Sequence, residues 1–549
     1  MTCRMTKLSV VSWIAQPDST GGLSYNTVKT FSASGAGSAT TIVSTGLGLQ
    51  GDTNDDFVGY IVECTDADNT QNQGLRRRIL ANNDAANTLT TDPWPAATSS
   101  GDQYLLLQPP HALVVASDTN NASNYIVTRD RDEADNYWDG NASEGGPYIE
   151  VIAADNASTT NHPMVVDSSN ANQHIVFNST TNLNGAVAVG DYFELWDHPE
   201  IMNGGLMECA EELVERNTMT GFYGKQAARA GNRGASGTME LAFRGPGAGR
   251  IGSHAELHEP FRCVFDSTDT GGNSTAGAGC TTTSFAYSAG NHAVGQMGIT
   301  SDGYVVMVTA DSGSAYTVTP AMGVAPAAGA ILYGMTTYKP TTCINKALTI
   351  KQWRGKQLIE YIWGCVPSVA ISGARGEWLK ISLNFQGADF MRLGASGTEP
   401  NRTWYPRLPS VAPVKLGNGR CMVDGVSWGL RSFSFDPGLD IQPKMNLAAP
   451  NDTDGFDIVN DAPVGQLEVY HDASTRKSLD DFLAGKEVEL CIQSGSTPGY
   501  PGVHGLWCYK IRYTGATVGD DAGQITLTLP FEVVTDPTST LPRWAQGVA

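Results

Sequence analysis

A Gly-x-Gly-x-x-Gly string at Gly247, Gly249 and Gly252 follows a strand-like run that ends at Arg244. In dinucleotide-binding folds such a string opens a helix whose N-terminus faces a pyrophosphate inside a β-α-β unit. Here Pro260 limits any following helix to about two turns, and the flanking segments alternate as antiparallel strands do. The string therefore reads as a flexible loop. His254 and His258 stand four apart, which would place both imidazoles on one helical face as zinc requires. Glu256 lies at the wrong offset for a metalloprotease base and no third ligand accompanies the pair, so both read as solvated histidines on a short helix. The Asp-rich runs 52–56, 130–139 and 452–461 offer oxygen ligands without the spacing of a calcium loop and read as surface turns.

No phosphate-binding loop and no Cys with a companion His appears in the chain. Arg76-Arg77-Arg78 is the one basic run, placed in the most acidic third. It reads as a solvated strand edge that could also neutralise an acidic neighbour, ahead of a nucleic-acid patch. No catalytic, cofactor-binding or metal-binding residue is assigned, and no cofactor is expected. Paired carboxylates for glycoside hydrolysis meet in space rather than in sequence, so a secreted, β-rich carbohydrate-active enzyme stays open as a minor alternative.

The elements that must position these residues are strands. In 549 residues there are 61 glycines and only 17% charged side chains, a composition of short strands and many turns. The net charge of −21 opposes non-specific binding to DNA or anionic lipid. It is uneven: residues 1–200 carry 24 acidic and 8 basic side chains, against 32 and 27 in the remainder. That asymmetry and a change of texture place a boundary near 200, with accessory β-domains at 1–200, a larger β-domain at 201–534 and an extended arm at 535–549. The ten cysteines show no C-x-x-C spacing and read as free thiols of a reducing compartment. No apolar stretch is long enough for a membrane helix, and the run Leu8 to Ala15 reads as a first strand.

Strands are expected at 60–63, 104–107, 112–115, 148–152, 174–177 and 192–196, and longer ones at 237–244, 303–309, 346–353, 357–363, 377–387, 426–435, 465–470, 486–492, 506–513 and 524–534. Tryptophans 353, 363, 378, 428 and 507 fall within them as core residues. Met207 to Arg216 has a short helical pattern. A second helix is expected over Ser478 to Leu483, with Ser478 as N-cap and Leu479, Phe482 and Leu483 as its packing side. Three lead-ins echo one another: Pro95 to Leu107 and Gly185 to Trp196, each with Gly-Asp before an aromatic-aliphatic strand, and more weakly Pro326-Ala-Ala-Gly-Ala-Ile-Leu-Tyr. They are either chance copies of a common turn or a duplicated small β-unit.

After residue 200, the run Ser236-Gly-Thr-Met-Glu-Leu-Ala-Phe-Arg-Gly-Pro-Gly with the short helix Ala255 to Phe261, Ala347-Leu-Thr-Ile followed by Gly364-Cys-Val-Pro-Ser, Lys380-Ile-Ser-Leu-Asn-Phe-Gln-Gly and Val426 to Phe435 resemble the tail tube proteins of long-tailed bacteriophages. The resemblance implies a mainly β fold, a β-sandwich or half-barrel with one short flanking helix; residues 1–200 depart from it, having no counterpart in a minimal tube subunit, and read as one or two extra N-terminal β-domains on the tube exterior. It implies a structural virion protein, not an enzyme, made in the host cytoplasm. Its copies would form a ring, as a homohexamer, stacked into a tube through which genomic DNA passes without sequence-specific binding or membrane insertion. Further partners would be the tape-measure protein and the tail terminator and baseplate proteins. The long loop Phe390 to Lys415, with Phe390, Arg392, Arg402 and Arg407, would serve contacts between rings. The alternative class is a decoration protein or adhesin that binds host-surface carbohydrate.

Overall fold

In a computed structural model the chain is described over 9–15, 26–45, 57–83, 86–108, 113–114, 125–127, 148–153, 164–170, 174–177, 192–196, 201–204, 206–214, 229–244, 257–268, 273–341, 343–344, 346–354, 358–394, 415–417, 419–445, 453–496, 503–534 and 542–547. Among these residues it is mainly antiparallel β-structure with two short helices, His258–Val264 (α1) and Lys477–Leu483 (α2).

The strands build two kinds of repeated unit. The first kind is a six-stranded barrel. In residues 274–340 the strands Ser274–Ala276, Ser284–Ala289, Met297–Thr300, Val305–Asp311, Ala315–Thr319 and Ile331–Pro340 close a ring in the order first, second, fifth, fourth, third, sixth, and back to the first. Residues 26–108 repeat that order. Asn26–Ser32 and its continuation Gly35–Ser38 form the first position, followed by Thr41–Val43, Ile61–Asp66, Arg76–Asn83, Thr88–Thr91 and Gln103–Gln108. The strands Leu113–Val114, Tyr125–Val127, Tyr148–Ala153, Met164–Asn170, His174–Phe177 and Tyr192–Trp196 are hydrogen-bonded in the same sequence of neighbours.

The registers agree as well as the orders. A bulge breaks the fourth strand against the fifth at Ile79/Ala81, at Val166/Ser168 and at Val308/Ala310. Gly101 and Gly329, at φ of 100° and 86°, each donate a backbone N–H to the first-strand carbonyl of Ala33 or Ala276, at 2.8 and 2.9 Å. A left-handed residue is needed there before the sixth strand, which is why glycine stands at both positions. The three lead-ins echoed in the sequence precede the sixth strand of the three barrels, so they mark a duplicated unit rather than a recurring turn.

The second kind of unit occurs twice and contains a helix. Unit one comprises Ser9–Ala15, the hairpin of Ile201–Gly204 and Glu208–Val214 with Arg229–Ala242, then α1, Leu348–Arg354, Leu358–Ala374, Lys380–Gly387 and Asp389–Gly394. Unit two comprises Arg420–Val423, the hairpin of Leu430–Asp436 with Val464–Tyr470, then α2, Glu487–Ser494, His504–Tyr513, Thr517–Asp521, Gln524–Val533 and Arg543–Gly547. Bulges again coincide, at Leu348/Ile350 with Val488/Leu490 and at Ile201/Asn203 with Leu430/Ser432. The sequences facing each other also match. Gly237-Thr-Met-Glu-Leu pairs with Leu379-Lys-Ile-Ser-Leu-Asn-Phe, and Gly465-Gln-Leu-Glu-Val with Ile525-Thr-Leu-Thr-Leu-Pro-Phe. The two units join edge to edge where Ile371–Ala374 pairs with Ser432–Phe435, over one shared core.

Several expectations are corrected. Ser9–Ala15 pairs with Leu348–Arg354, and the third barrel lies between α1 and Leu348, so the strands do not divide at residue 200. Glu208–Val214 is a strand because the hairpin with Arg229–Ala242 overrides its helical pattern. Most of the Asp-rich run 452–461 is the strand Thr453–Asp461, paired with Leu439–Met445. The arm contains Arg543–Gly547, which pairs with both Ile331–Pro340 and His504–Tyr513. Gly247, Gly249, Gly252, His254, the Asp runs 52–56 and 130–139, Arg402 and Arg407 lie outside the described residues.

Candidate functional site

The arginine triplet shows how a barrel meets a helical unit. By strand register Arg76, Arg77 and Arg78 occupy the positions of Val305, Val306 and Met307 in the third barrel. Alternation sends the middle residue inward and the outer two toward the neighbour. Val306 lies in its barrel's core, and Arg77 likewise turns in, donating from Nε to Pro93 O at 2.6 Å and lying over the Trp94 ring at 5.4 Å. Burial lowers the Arg77 pKa, opposed by the Asp92 carboxylate. Arg76 bridges Glu63 and Asp389, both at 2.7 Å. Arg78 pairs with Asp92 at 2.9 Å and donates to Tyr361 Oη at 2.7 Å. The expected solvated edge is thus corrected: all three arginines are buried, with carboxylates pairing Arg76 and Arg78 and backbone carbonyls accepting from Arg77.

In the third barrel, Met297, Ile299, Val305, Met307 and Met335 pack with Cys491, Val503 and Trp507 of unit two. Trp507 faces Cys491 where Tyr361 faces Lys351, so Tyr361 and Trp507 hold the same register position in the two units. One barrel therefore docks on each unit, through the same barrel face and against the same unit position. Ion pairs cross the first contact, whereas the second has an apolar centre flanked by hydrogen bonds from Arg420 to Val305 O and from Val305 N to Gln493 Oε1. The middle six-stranded sheet touches the strands Ser9–Ala15 and Arg76–Asn83 through its sixth and third strands.

A second cluster anchors the hairpin of unit one. Glu360, almost fully buried, accepts from Arg354 Nε at 2.6 Å, Arg392 Nε at 2.9 Å and Gln352 Nε2 at 2.6 Å. Gln352 exchanges two 2.9 Å hydrogen bonds with the Met207 backbone, and Arg392 donates to Cys209 O at 2.8 Å. Burial pushes the Glu360 carboxyl up, but the hydrogen bonds from Arg354, Arg392 and Gln352 outweigh it and hold the pKa below the ordinary value. Phe390 and Arg392 lie in the strand Asp389–Gly394, not in a loop. Phe390 is core, paired with Ile362. The inter-ring assignment of these two is corrected accordingly; their side chains serve packing and the Glu360 cluster.

The packing side expected of α2 is two-thirds right. Leu479 and Phe482 pack against the core, whereas Leu483 is 81% exposed. The helix starts at Lys477, and Ser478 lies within it, donating from Oγ to Thr475 O at 2.6 Å rather than capping it. Lys486 and Lys477 meet Asp424 at 2.6 and 3.4 Å. His258, expected in solvent, is buried in α1 with Nδ1 2.8 Å from Tyr338 Oη. Sequence alternation could have flagged Arg76 and Arg78 as one face, but nothing local showed what that face meets.

Both ends of the two-unit body carry strands that are paired on one side only among the described residues. Thr517–Asp521 pairs with Gln524–Val533, and Ile201–Gly204 pairs with Arg229–Ala242. Val518 is 57% exposed and Met202 45%. Among the described residues no three His, Cys, Asp or Glu side chains come together as a metal site, and no helix is long and apolar enough to cross a membrane. No family model and no curated protein matches the chain.

Proposed function

We propose that this chain is a structural virion protein, a subunit of a phage tail tube that assembles into stacked rings and forms the conduit for DNA ejection. The observation that carries this reading is the body of two like units, already joined edge to edge, with a strand at each end that is paired on one side only among the described residues. Such edges are a liability in a free molecule and the natural means of closing a ring. The resemblance in strand order after residue 200 supports the same reading. On this reading the partners are further copies of the chain, a tape-measure protein and the proteins capping the tail, and the docked barrels sit outside the tube. DNA passes without base-specific contact.

Negative-stain imaging of the purified protein tests it. Rings or tubes with a central hole are the expected result. Discrete particles that bind host-surface polysaccharide would replace it with the adhesin reading, and polysaccharide cleavage would replace it with the enzyme.

A further inference from the structure

We infer that copies of this chain join head to tail by pairing the outer edge of Thr517–Asp521 in one copy with the outer edge of Ile201–Gly204 in the next, in the register that already joins the two units within one chain. The inference deepens the ring reading above and rests on it.

The internal junction supplies the template. In unit one the far end of the Leu358–Ala374 strand has Lys380–Gly387 on one side and, on the other, the Leu430–Asp436 strand of unit two: Gly373 pairs with Phe433 and Ala374 with Ser432. In unit two the same place is held by Thr517–Asp521. Ile371 faces Ile381 and Val518 faces Leu527, so Val518 stands for Ile371 and Asp521 for Ala374. Its second side has no strand partner among the described residues. The strand standing for Leu430–Asp436 is Ile201–Gly204 of unit one. Ser432 faces Glu468 and Asn203 faces Glu240, with a bulge at the preceding residue in each case. It too is paired on one side only among the described residues. Each chain thus presents at its two ends the two halves of a junction it forms once internally.

Both edges carry an exposed apolar side chain, Val518 and Met202, that pairing would cover. The register transfers directly: Asp521 opposite Asn203, Asp520 opposite Gly204. The contact is heterologous, so it closes a ring when the rotation per unit divides a full turn. Because each chain holds two units, a ring has twice as many units as chains. A six-fold ring of units would therefore contain three chains rather than the six expected from the resemblance.

Full-length protein with Asn203→Cys and Asp521→Cys together, under mild oxidation, tests the assignment. Covalent oligomers on a non-reducing gel are expected only when both substitutions are present, and each single variant should show none. Rings that form without cross-linking would overturn the edge assignment and leave the ring reading standing. A chain that stays monomeric by mass photometry would overturn both. If the double variant fails to assemble, hydrogen exchange on the unaltered protein decides. Amides of 201–204 and 517–521 should slow at least tenfold on assembly, and unchanged exchange at either edge in assembled particles would sink the proposal.

Discussion

Arg76 and Asp389 lie 313 positions apart in the chain, yet the guanidinium Nη1 meets the carboxylate Oδ2 at 2.7 Å with both side chains withdrawn from water. This pair ties the first barrel to unit one at the place where the third barrel meets unit two through Val305 and Trp507. Removing one partner strands a buried charge on the other. Arg76→Ala should destabilise the docked barrel by about 3 kcal/mol. Arg76→Val combined with Glu63→Ile and Asp389→Leu should recover most of that loss, because the third barrel already places Val305 and Ile299 at the first two positions. Thermal unfolding and limited proteolysis of the two variants provide the measurement, and equal loss in the single and combined variants would contradict the account.

The Glu360 cluster gives a pH dependence. Its carboxyl titrates lower in the folded chain than in the unfolded one. Its stabilising contribution is therefore complete above the ordinary carboxylate value, and it is lost as the pH falls through the lower folded one. Glu360→Gln should loosen the hairpin around Met207 at neutral pH and remove that part of the acid sensitivity. Hydrogen exchange of residues 206–210 between neutral pH and pH 3 reads both effects.

His292 acts at a milder pH. It is buried in the third barrel, with Nδ1 2.8 Å from Ser274 Oγ, and burial lowers its pKa to about 4. The unfolded chain binds the proton near the ordinary histidine value, so stability is complete above about 6.5 and falls as the pH drops toward 4. The loss should reach about 3 kcal/mol. His292→Gln should flatten the melting temperature of this barrel over that range, and an unchanged slope would count against the buried neutral imidazole.

Nine cysteines are described as free thiols, and of these Cys343 is the exposed one. Burial pushes the thiols of Cys64, Cys209 and Cys491 up to about 12, and those of Cys263, Cys365, Cys421 and Cys508 also upward. A thiol-specific reagent at neutral pH should label Cys343 quickly in the native protein, and the six buried cysteines, Cys64, Cys263, Cys365, Cys421, Cys491 and Cys508, only after denaturation. Mass-spectrometric mapping distinguishes them. A disulfide among the nine would overturn the expectation of free thiols.

On α2, Phe482→Ala should cost about 1–3 kcal/mol, while Leu483→Ser should change stability by less than about 0.5 kcal/mol. Chemical denaturation of the two variants separates the packed side chain from the solvated one. A larger loss for Leu483→Ser would mean that its exposed face is covered in the assembled protein.

The sequence by itself determined the mainly β class and the clearest strands. Two-residue alternation and turn residues located strands such as Lys380–Gly387 and Gln524–Val533 but not Asn26–Ser32 or Leu439–Met445, because both signals are local consequences of backbone geometry and fade in short or irregular strands. It also carried traces of both duplications, in the lead-ins ending at Gly101, Gly190 and Gly329 and in the paired runs beginning at Gly237 and Gly465. Such traces survive where a left-handed glycine or an inward-facing strand leaves few alternatives. What only the tertiary structure decided is which edge meets which. Arg76 reads as a surface residue until Asp389 arrives from a remote strand, and Leu483 continues an apolar pattern that ends one residue short of the core. Glu208–Val214 looks helical until Arg229–Ala242 pairs with it. Register, docking and burial are set by groups far apart in the chain, and their hydrogen bonds and desolvation outweigh local preference by more than any short segment can signal.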